Sequence, residues 1–126
     1  MEYLPKELKY DNGYSWIKVE GKKVIVGIAK PLADATKEFV FIDLPELKEI
    51  KKGEVYVSLE SVKWSGHLES PLSGKIVEVN NDLFNNPEKI NSEPYSNWIM
   101  KLVDVSDDKD LMDADTKVAN LTCNVK

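Results

Sequence analysis

The run Val55-Tyr56-Val57-Ser58-Leu59-Glu60-Ser61-Val62-Lys63-Trp64-Ser65 decides how the rest of this chain is read. Val55, Val57 and Leu59 alternate with Tyr56, Ser58 and Glu60, the period-two pattern of a half-buried strand. The alternation stops at Lys63, ten residues after Gly53 and eleven before Gly74. Pro71-Leu72-Ser73-Gly74 is a turn signal, and Lys75-Ile76-Val77-Glu78-Val79 reads as the next strand. This layout predicts a lysine held out at the tip of a hairpin, available for modification. An ordinary solvated loop lysine has the same local pattern, so the remaining sequence has to decide between them.

Outward from that run, β signals dominate. Trp16-Ile17-Lys18-Val19 and Lys23-Val24-Ile25-Val26-Gly27-Ile28 flank Glu20-Gly21-Lys22 and predict a hairpin. Phe39-Val40-Phe41-Ile42-Asp43-Leu44, closed by Pro45, is a further strand, and Trp98-Ile99-Met100-Lys101-Leu102-Val103 a late one. Short strands separated by turn residues favour an antiparallel barrel or sandwich over a parallel sheet. Pro31-Leu32-Ala33-Asp34-Ala35 and Asp82-Leu83-Phe84-Asn85 predict short helices, the first with Pro31 where its missing N–H costs nothing. At the C-terminus, Ser106 is the expected cap of a helix whose first turn carries Asp107, Asp108 and Asp110. Leu111, Ala114, Val118 and Leu121 are expected on the face that packs against the barrel.

The chain has 126 residues, enough for one core without metal or disulfides, and residues 1–126 read as a single domain. No apolar run approaches the roughly 20 residues that span a bilayer, and Met1–Lys6 is not of secretory type. The expected setting is cytoplasmic, or a matrix after removal of a transit segment. A net charge of −5 argues against nonspecific nucleic-acid binding. All 17 cations are lysine, so the planar fork that grips phosphate in two places is absent. Cys123 is the only cysteine and His67 the only histidine, which leaves no Cys/His ligand spacing for a metal and no evident triad. Glycine-rich phosphate loops are missing too. A carboxylate pair such as Glu60 with Glu69 reads as solvated charge rather than acid/base machinery. Many polar residues without an assembled catalytic apparatus fit a carrier better than an enzyme.

From about Tyr10 to Leu121 the residues resemble the H protein of the glycine cleavage system, a lipoyl carrier. Tyr10 with Trp16, Val26-Gly27-Ile28 and Val40-Phe41-Ile42-Asp43-Leu44-Pro45 are similar to that family's successive signatures. Glu60-Ser61-Val62-Lys63 resembles its lipoylation motif. Ser70-Pro71-Leu72-Ser73-Gly74, Val77-Glu78-Val79-Asn80, Asn91-Ser92-Glu93-Pro94-Tyr95 and Trp98 follow in the family's order. Biotin carriers usually place methionines around their lysine, and Val62 and Trp64 speak against biotin.

The resemblance implies a mainly β barrel-sandwich hybrid of the lipoyl/biotinyl type, with short helices and a C-terminal helix. It also implies lipoic acid attached at Lys63 by a lipoyl ligase or lipoyltransferase. The implied partners are glycine decarboxylase, aminomethyltransferase and dihydrolipoamide dehydrogenase. In that family the loaded arm folds back into a cleft where carboxylates and small polar groups hold its ammonium. Here Tyr14 stands where the family shows His, Ser15 where it usually shows Glu, and Pro31 where a second His is common. Trp64 replaces a small residue and His67 an acidic one. Glu60, Ser61, Val62, Trp64, His67, Tyr14 and Ser15 are thus the expected neighbourhood of the arm. Two missing negative charges favour one other reading, and the shared lysine leaves a second open. One is a paralogue carrying a sulfur cargo to a heterodisulfide-reductase-like complex of sulfur oxidation, and the other is a relay that hands lipoate to other complexes.

Overall fold

The computed structural model describes residues 3–124, with side chains as far as Ala119. In chain order the elements are β1 (Lys9–Tyr10), β2 (Ser15–Glu20), β3 (Lys23–Ile28), α1 (Lys30–Thr36), β4 (Phe39–Asp43), β5 (Glu49–Ile50) and β6 (Val55–Ser61). They continue with β7 (Ser65–Glu69), β8 (Ser73–Val79), α2 (Asp82–Asn85), α3 (Lys89–Ser92), β9 (Met100–Ser106) and α4 (Ala114–Asn124). All strand pairs are antiparallel, in a six-stranded sheet ordered β1-β2-β3-β9-β8-β5 and a three-stranded sheet ordered β4-β6-β7. This is the expected mainly β architecture, a barrel-sandwich hybrid with short helices and a helix at its C-terminal end.

The hairpin of β2 and β3 organises both layers, because its two faces are both apolar. Ile17, Val24, Val26 and Ile28 point into the main core, where Phe39, Ile42, Val57, Leu59, Leu72 and Leu102 meet them. Trp16 and Ile25, on the opposite face, join a second cluster with Leu4, Leu8, Tyr10 and Ala114. Successive side chains on a strand point to opposite sides, so one hairpin feeds two cores. At Trp16↔Gly27 the register places the indole directly over the glycine. A Cβ there would lie 2.4 Å from two ring carbons. The indole N–H donates to the Pro94 carbonyl at 3.1 Å. Gly27 is therefore required by a close approach within an ordinary strand.

The expected C-terminal helix is displaced. Ser106 ends β9 rather than capping a helix, and Asp107 turns the chain with a positive φ of 60°. Its carboxylate accepts the Ser73 hydroxyl at 2.6 Å, Asp110 pairs with Lys52, and Met112 exchanges two 2.8 Å backbone hydrogen bonds with Tyr10. These acids tie a strap sideways to the barrel instead of facing a helix dipole. Helix α4 starts only at Ala114, where the Asp113 carboxylate accepts the Thr116 N–H at 2.8 Å and caps the first turn. That bond holds the Asp113 carboxyl below its usual range.

The buried side of α4 also differs from the expected stripe. Ala114 is buried as predicted, but Val118 is 47% exposed and its neighbour Lys117 only 3% exposed. The Lys117 ammonium donates to the carbonyls of Asp11 at 2.8 Å and Gly13 at 2.5 Å, and lies 5.9 Å from the centre of the Tyr14 ring. Burial lowers its pKa, and the Asp11 carboxylate works in the opposite direction. A lysine at a helix position adjoining apolar residues satisfies backbone acceptors here, which outweighs the hydrophobic periodicity. Leu121 and Cys123 lie outside the described side chains. Strand bounds shift elsewhere as well. The late strand begins at Met100 rather than Trp98, although the Ile99 N–H still bonds the Val26 carbonyl at 2.8 Å. The sequence reading did not assign β1, β5, β7 or α3, each of five residues or fewer.

Three measurements check this account. Gly27→Ala should lose roughly 1–3 kcal/mol in chemical denaturation, because neither the indole nor the strand can withdraw without opening a core. Lys117→Met should lose about 1–3 kcal/mol by leaving two carbonyls and the Asp11 carboxylate without their ammonium. The third is a pH series on Tyr95, whose hydroxyl accepts the Lys30 N–H at 3.0 Å and donates to the Tyr3 carbonyl. Burial pushes this phenol up to about 12 from a model-compound value of 10.0. The folded state holds the proton more tightly, so the contribution is complete below pH 10 and lost as the pH climbs towards about 12. The stability difference between wild type and Tyr95→Phe should shrink across that window.

Candidate functional site

Strands β6 and β7 meet at a tight turn that carries the candidate lysine. Glu60 pairs with Ser65 at the last ladder position, and the Ser61 N–H donates to the Trp64 carbonyl at 2.7 Å. Val62 and Lys63 occupy the crest, with Val62 84% exposed and Lys63 also exposed. No hydrogen bond or ion pair engages the Lys63 ammonium among the described residues. The sequence therefore placed the hairpin tip correctly, although the returning strand is β7 immediately after Trp64 rather than the later β8.

Trp64 secures the tip from its inner side. Its ring lies 6.3 Å from that of Phe39 and covers Gly66, where an added Cβ would come within 2.6 Å of the indole. The bulky residue after the lysine thus packs, half-buried, against the core and does not line the neighbouring cleft. The Ser61 hydroxyl is buried beneath the same turn and has no hydrogen-bond partner among the described residues; nothing in the local packing explains that cost.

Along the flank of β7 runs a cleft of about 340 Å³, lined on one side by the loop before β2 and on the other by β7 and the segment after it. Tyr14, Ser15 and His67 all line it, so three of the predicted neighbours do converge. Ser15 itself is buried, and its hydroxyl shares a 2.6 Å hydrogen bond with the Tyr56 hydroxyl. Burial raises the Tyr56 phenol far above its ordinary range, so this pair stays neutral. Leu68, Pro71 and Leu111 supply apolar wall.

Most of the charge at the cleft comes from residues that no local sequence signal placed there. Asp11 folds the entrance loop: its carboxylate accepts the N–H groups of Gly13 at 3.0 Å and Ser15 at 3.1 Å. Burial raises its pKa, while the Ser15 N–H and the charge of Lys117 lower it. Lys52 and Asp110 close another wall as an ion pair, which holds the Asp110 carboxyl below its usual range. Glu69 also lines the cleft. It stands two residues from His67 on the outer face of β7, where the burial alternates exposed, buried, exposed from His67 to Glu69. That alternation was a readable signal; the arrival of Lys117, Lys52 and Asp110 was not, because it depends on long-range packing.

The arrangement suits an acylated lysine whose arm can leave the tip and lie along β7. Ser65 to Glu69 spans four steps of strand, roughly 13 Å, so the cleft begins within reach of a long tether anchored at Lys63. Apolar wall from Leu68, Pro71 and Leu111 matches a hydrocarbon arm, and the mixed polar wall matches a polar end group. The residues present therefore fit a lipoyl group. No group of three or more metal-ligating side chains occurs among the described residues. No helix there is long and apolar enough to cross a membrane.

Comparison with known proteins agrees over nearly the whole chain. The family model described as "Glycine cleavage H-protein" matches residues 8–123. The glycine cleavage system H protein of Halalkalibacterium halodurans is 44% identical over 119 residues, covering 91% of this chain and 93% of that one. Its counterpart from Staphylococcus haemolyticus is 41% identical over 111 residues, covering 87% and 88% respectively. The crystal structure of a glycine cleavage system H protein from Mycobacterium marinum superposes with a TM-score of 0.85 at 28% identity, covering 94% of this chain and 99% of that one. With both the sequence frame and the two-sheet fold in agreement, this chain belongs to the glycine cleavage H-protein family.

Proposed function

We propose that this protein is a lipoyl carrier of glycine cleavage, with lipoate in amide linkage to Lys63. One observation carries the reading: Lys63 is exposed and unengaged at the crest of a hairpin whose flank opens into a cleft. Family membership supports it, as do the curated relatives, both named glycine cleavage system H proteins. These relatives favour glycine cleavage over sulfur oxidation or lipoyl relay, which would use the same lysine.

Lipoate supplies a disulfide that can be opened to thiols and reoxidised by exchange. The chain's own residues supply its delivery. Trp64 fixes the crest against Phe39, so motion is confined to the arm while the hairpin stays in register. Val62 leaves an apolar, unobstructed tip that an enzyme's active-site entrance can enclose. Tethering raises the arm's effective concentration in each docked active site to the order of mM. Acylation removes one ammonium and takes the formal charge from −5 to −6.

On this reading the protein is a carrier subunit and not an enzyme in its own right, working in the cytoplasm. Glycine decarboxylase, aminomethyltransferase and dihydrolipoamide dehydrogenase act on its arm, and a lipoyl ligase or lipoyltransferase attaches it.

Intact mass after expression with a lipoyl ligase and lipoate should show one lipoyl increment. Lys63→Arg should abolish the increment and leave the circular dichroism spectrum unchanged. A wild-type protein that stays unmodified under those conditions would sink the carrier reading. Glycine-dependent loading by glycine decarboxylase tests the cargo separately: a fully lipoylated sample that takes none removes glycine cleavage but not the carrier role.

A further inference from the structure

A β-bulge in β4 puts two apolar side chains on the surface beside the lysine hairpin. Phe39 pairs with Ser61 and Phe41 with Glu60, so Val40 is an extra residue opposite the step from Ser61 to Glu60. Phe39 and Ile42 are buried, while between them Val40 is 56% and Phe41 44% exposed. Strict alternation would turn only one of two neighbours outward; the extra residue turns out both. The register then sets a row across the outer face of the three-stranded sheet, with Phe41 beside Glu60 and Glu60 beside Ser65. Val62, exposed at the crest, stands two residues beyond Glu60. Asp43 pairs with Ser58 and is exposed on the same face as Phe41. Among the described residues no ion pair engages the carboxylate of Asp43 or of Glu60. An apolar strip rimmed by two unmatched acids therefore leads up to Lys63.

Resting on the carrier reading above, we infer that the strip of Val40, Phe41 and Val62 is the docking surface for the enzyme that acylates Lys63, which meets it with apolar side chains flanked by cations. Reach selects this occupant. Phe41 lies one strand spacing from Glu60, and Glu60 three residues from Lys63, so the Cα atoms of Phe41 and Lys63 are at most roughly 15 Å apart. The attaching enzyme works on the Lys63 nitrogen itself. There the neutral amine attacks the carbonyl carbon of an activated lipoyl donor and a C–N bond forms. The bond from that carbon to the leaving group breaks, its electron pair departs with that group, and the amine gives one proton to solvent. The enzyme's walls must close around the lysine stem, which brings its surface down over the adjoining sheet. Enzymes that act on the dithiolane work at the far end of the acyl chain and can leave the sheet uncovered. Burying the strip then favours the attaching complex through apolar area removed from water. Asp43 and Glu60 supply the charge that a cationic rim complements.

The test follows lipoate transfer by a lipoyl ligase, with lipoate and ATP, as a function of the concentration of whole unmodified protein. Melting curves verify that each variant is folded at the assay temperature. Phe41→Ser should raise the KM for the protein about tenfold with kcat nearly unchanged, as expected on losing one central apolar anchor. Phe41→Leu, which keeps an apolar contact, should restore most of that loss. Asp43→Lys should also raise KM, whereas Val19→Ser, a change at an apolar residue 69% exposed on β2, should not. The same proteins are then lipoylated to completion by prolonged incubation and checked by intact mass. Reoxidation of the reduced arm by dihydrolipoamide dehydrogenase with NAD should proceed at the wild-type rate in all of them. A wild-type KM in Phe41→Ser overturns the assignment, as does an equal slowing of reoxidation or an equal effect of Val19→Ser. Where Phe41→Ser is unfolded, Val40→Ser and Asp43→Lys decide by the same criterion. Wild-type protein that takes no lipoate would instead remove the carrier reading, and this assignment with it.

Discussion

The two-faced apolar hairpin of β2 and β3 is the constraint on which the rest of the structure depends. A strand whose alternate side chains are all apolar has to be covered on both sides, and no single layer can do that. The three-stranded sheet and β8 and β9 cover Ile17, Val26 and Ile28. The N-terminal segment, the strap after β9 and the start of α4 cover Trp16 and Ile25. Trp16 holds the second cover in place, lying flat on Gly27 and reaching the Pro94 carbonyl. Tyr95 packs 6.2 Å from the same indole and joins the chain start to the residue that opens α1.

Covering the outer face is also what builds the cleft. The strap arrives beside β7 with Asp110 and Leu111, and α4 arrives beneath the entrance loop with Lys117. A buried ammonium is expensive unless its donors are satisfied. Lys117 meets that demand with two carbonyls of the loop, the Tyr14 ring and the Asp11 charge. The loop is consequently held by a residue more than a hundred positions away. Packing of the second core and electrostatics of the cleft are one arrangement seen from two sides.

The hairpin tip obeys a different logic. Trp64 and Phe39 anchor the inner side, while Val62 and Lys63 stand outside every hydrogen-bonded network among the described residues. A rigid base under a free side chain suits a tether, because the arm's sweep is then set by its own bonds and not by breathing of the sheet. Trp64, expected beside the arm in place of a small residue, packs against the core on the inner side of the turn.

Local alternation and turn residues were enough to read the mainly β class, the Gly21 hairpin and the Lys63 tip, because strand period and turn chemistry act over a few residues. The ordered motifs from Tyr10 to Trp98 were enough to read the family. The short strand β7 escaped notice because Ser65-Gly66-His67-Leu68-Glu69 has a single large apolar residue and is held by its ladder to β6. The acid-rich run after Ser106 read as a helix start, since local charge suits a dipole, but tertiary partners at Ser73 and Lys52 claimed those acids first. Lys117 carried no local signal, as a helical lysine is normally solvated. The sequence by itself determined where the lysine is displayed and on what kind of scaffold. Only the tertiary structure decided which carboxylates around it are neutralised, since pairing of charges depends on distances that residues far apart in the chain acquire only on folding.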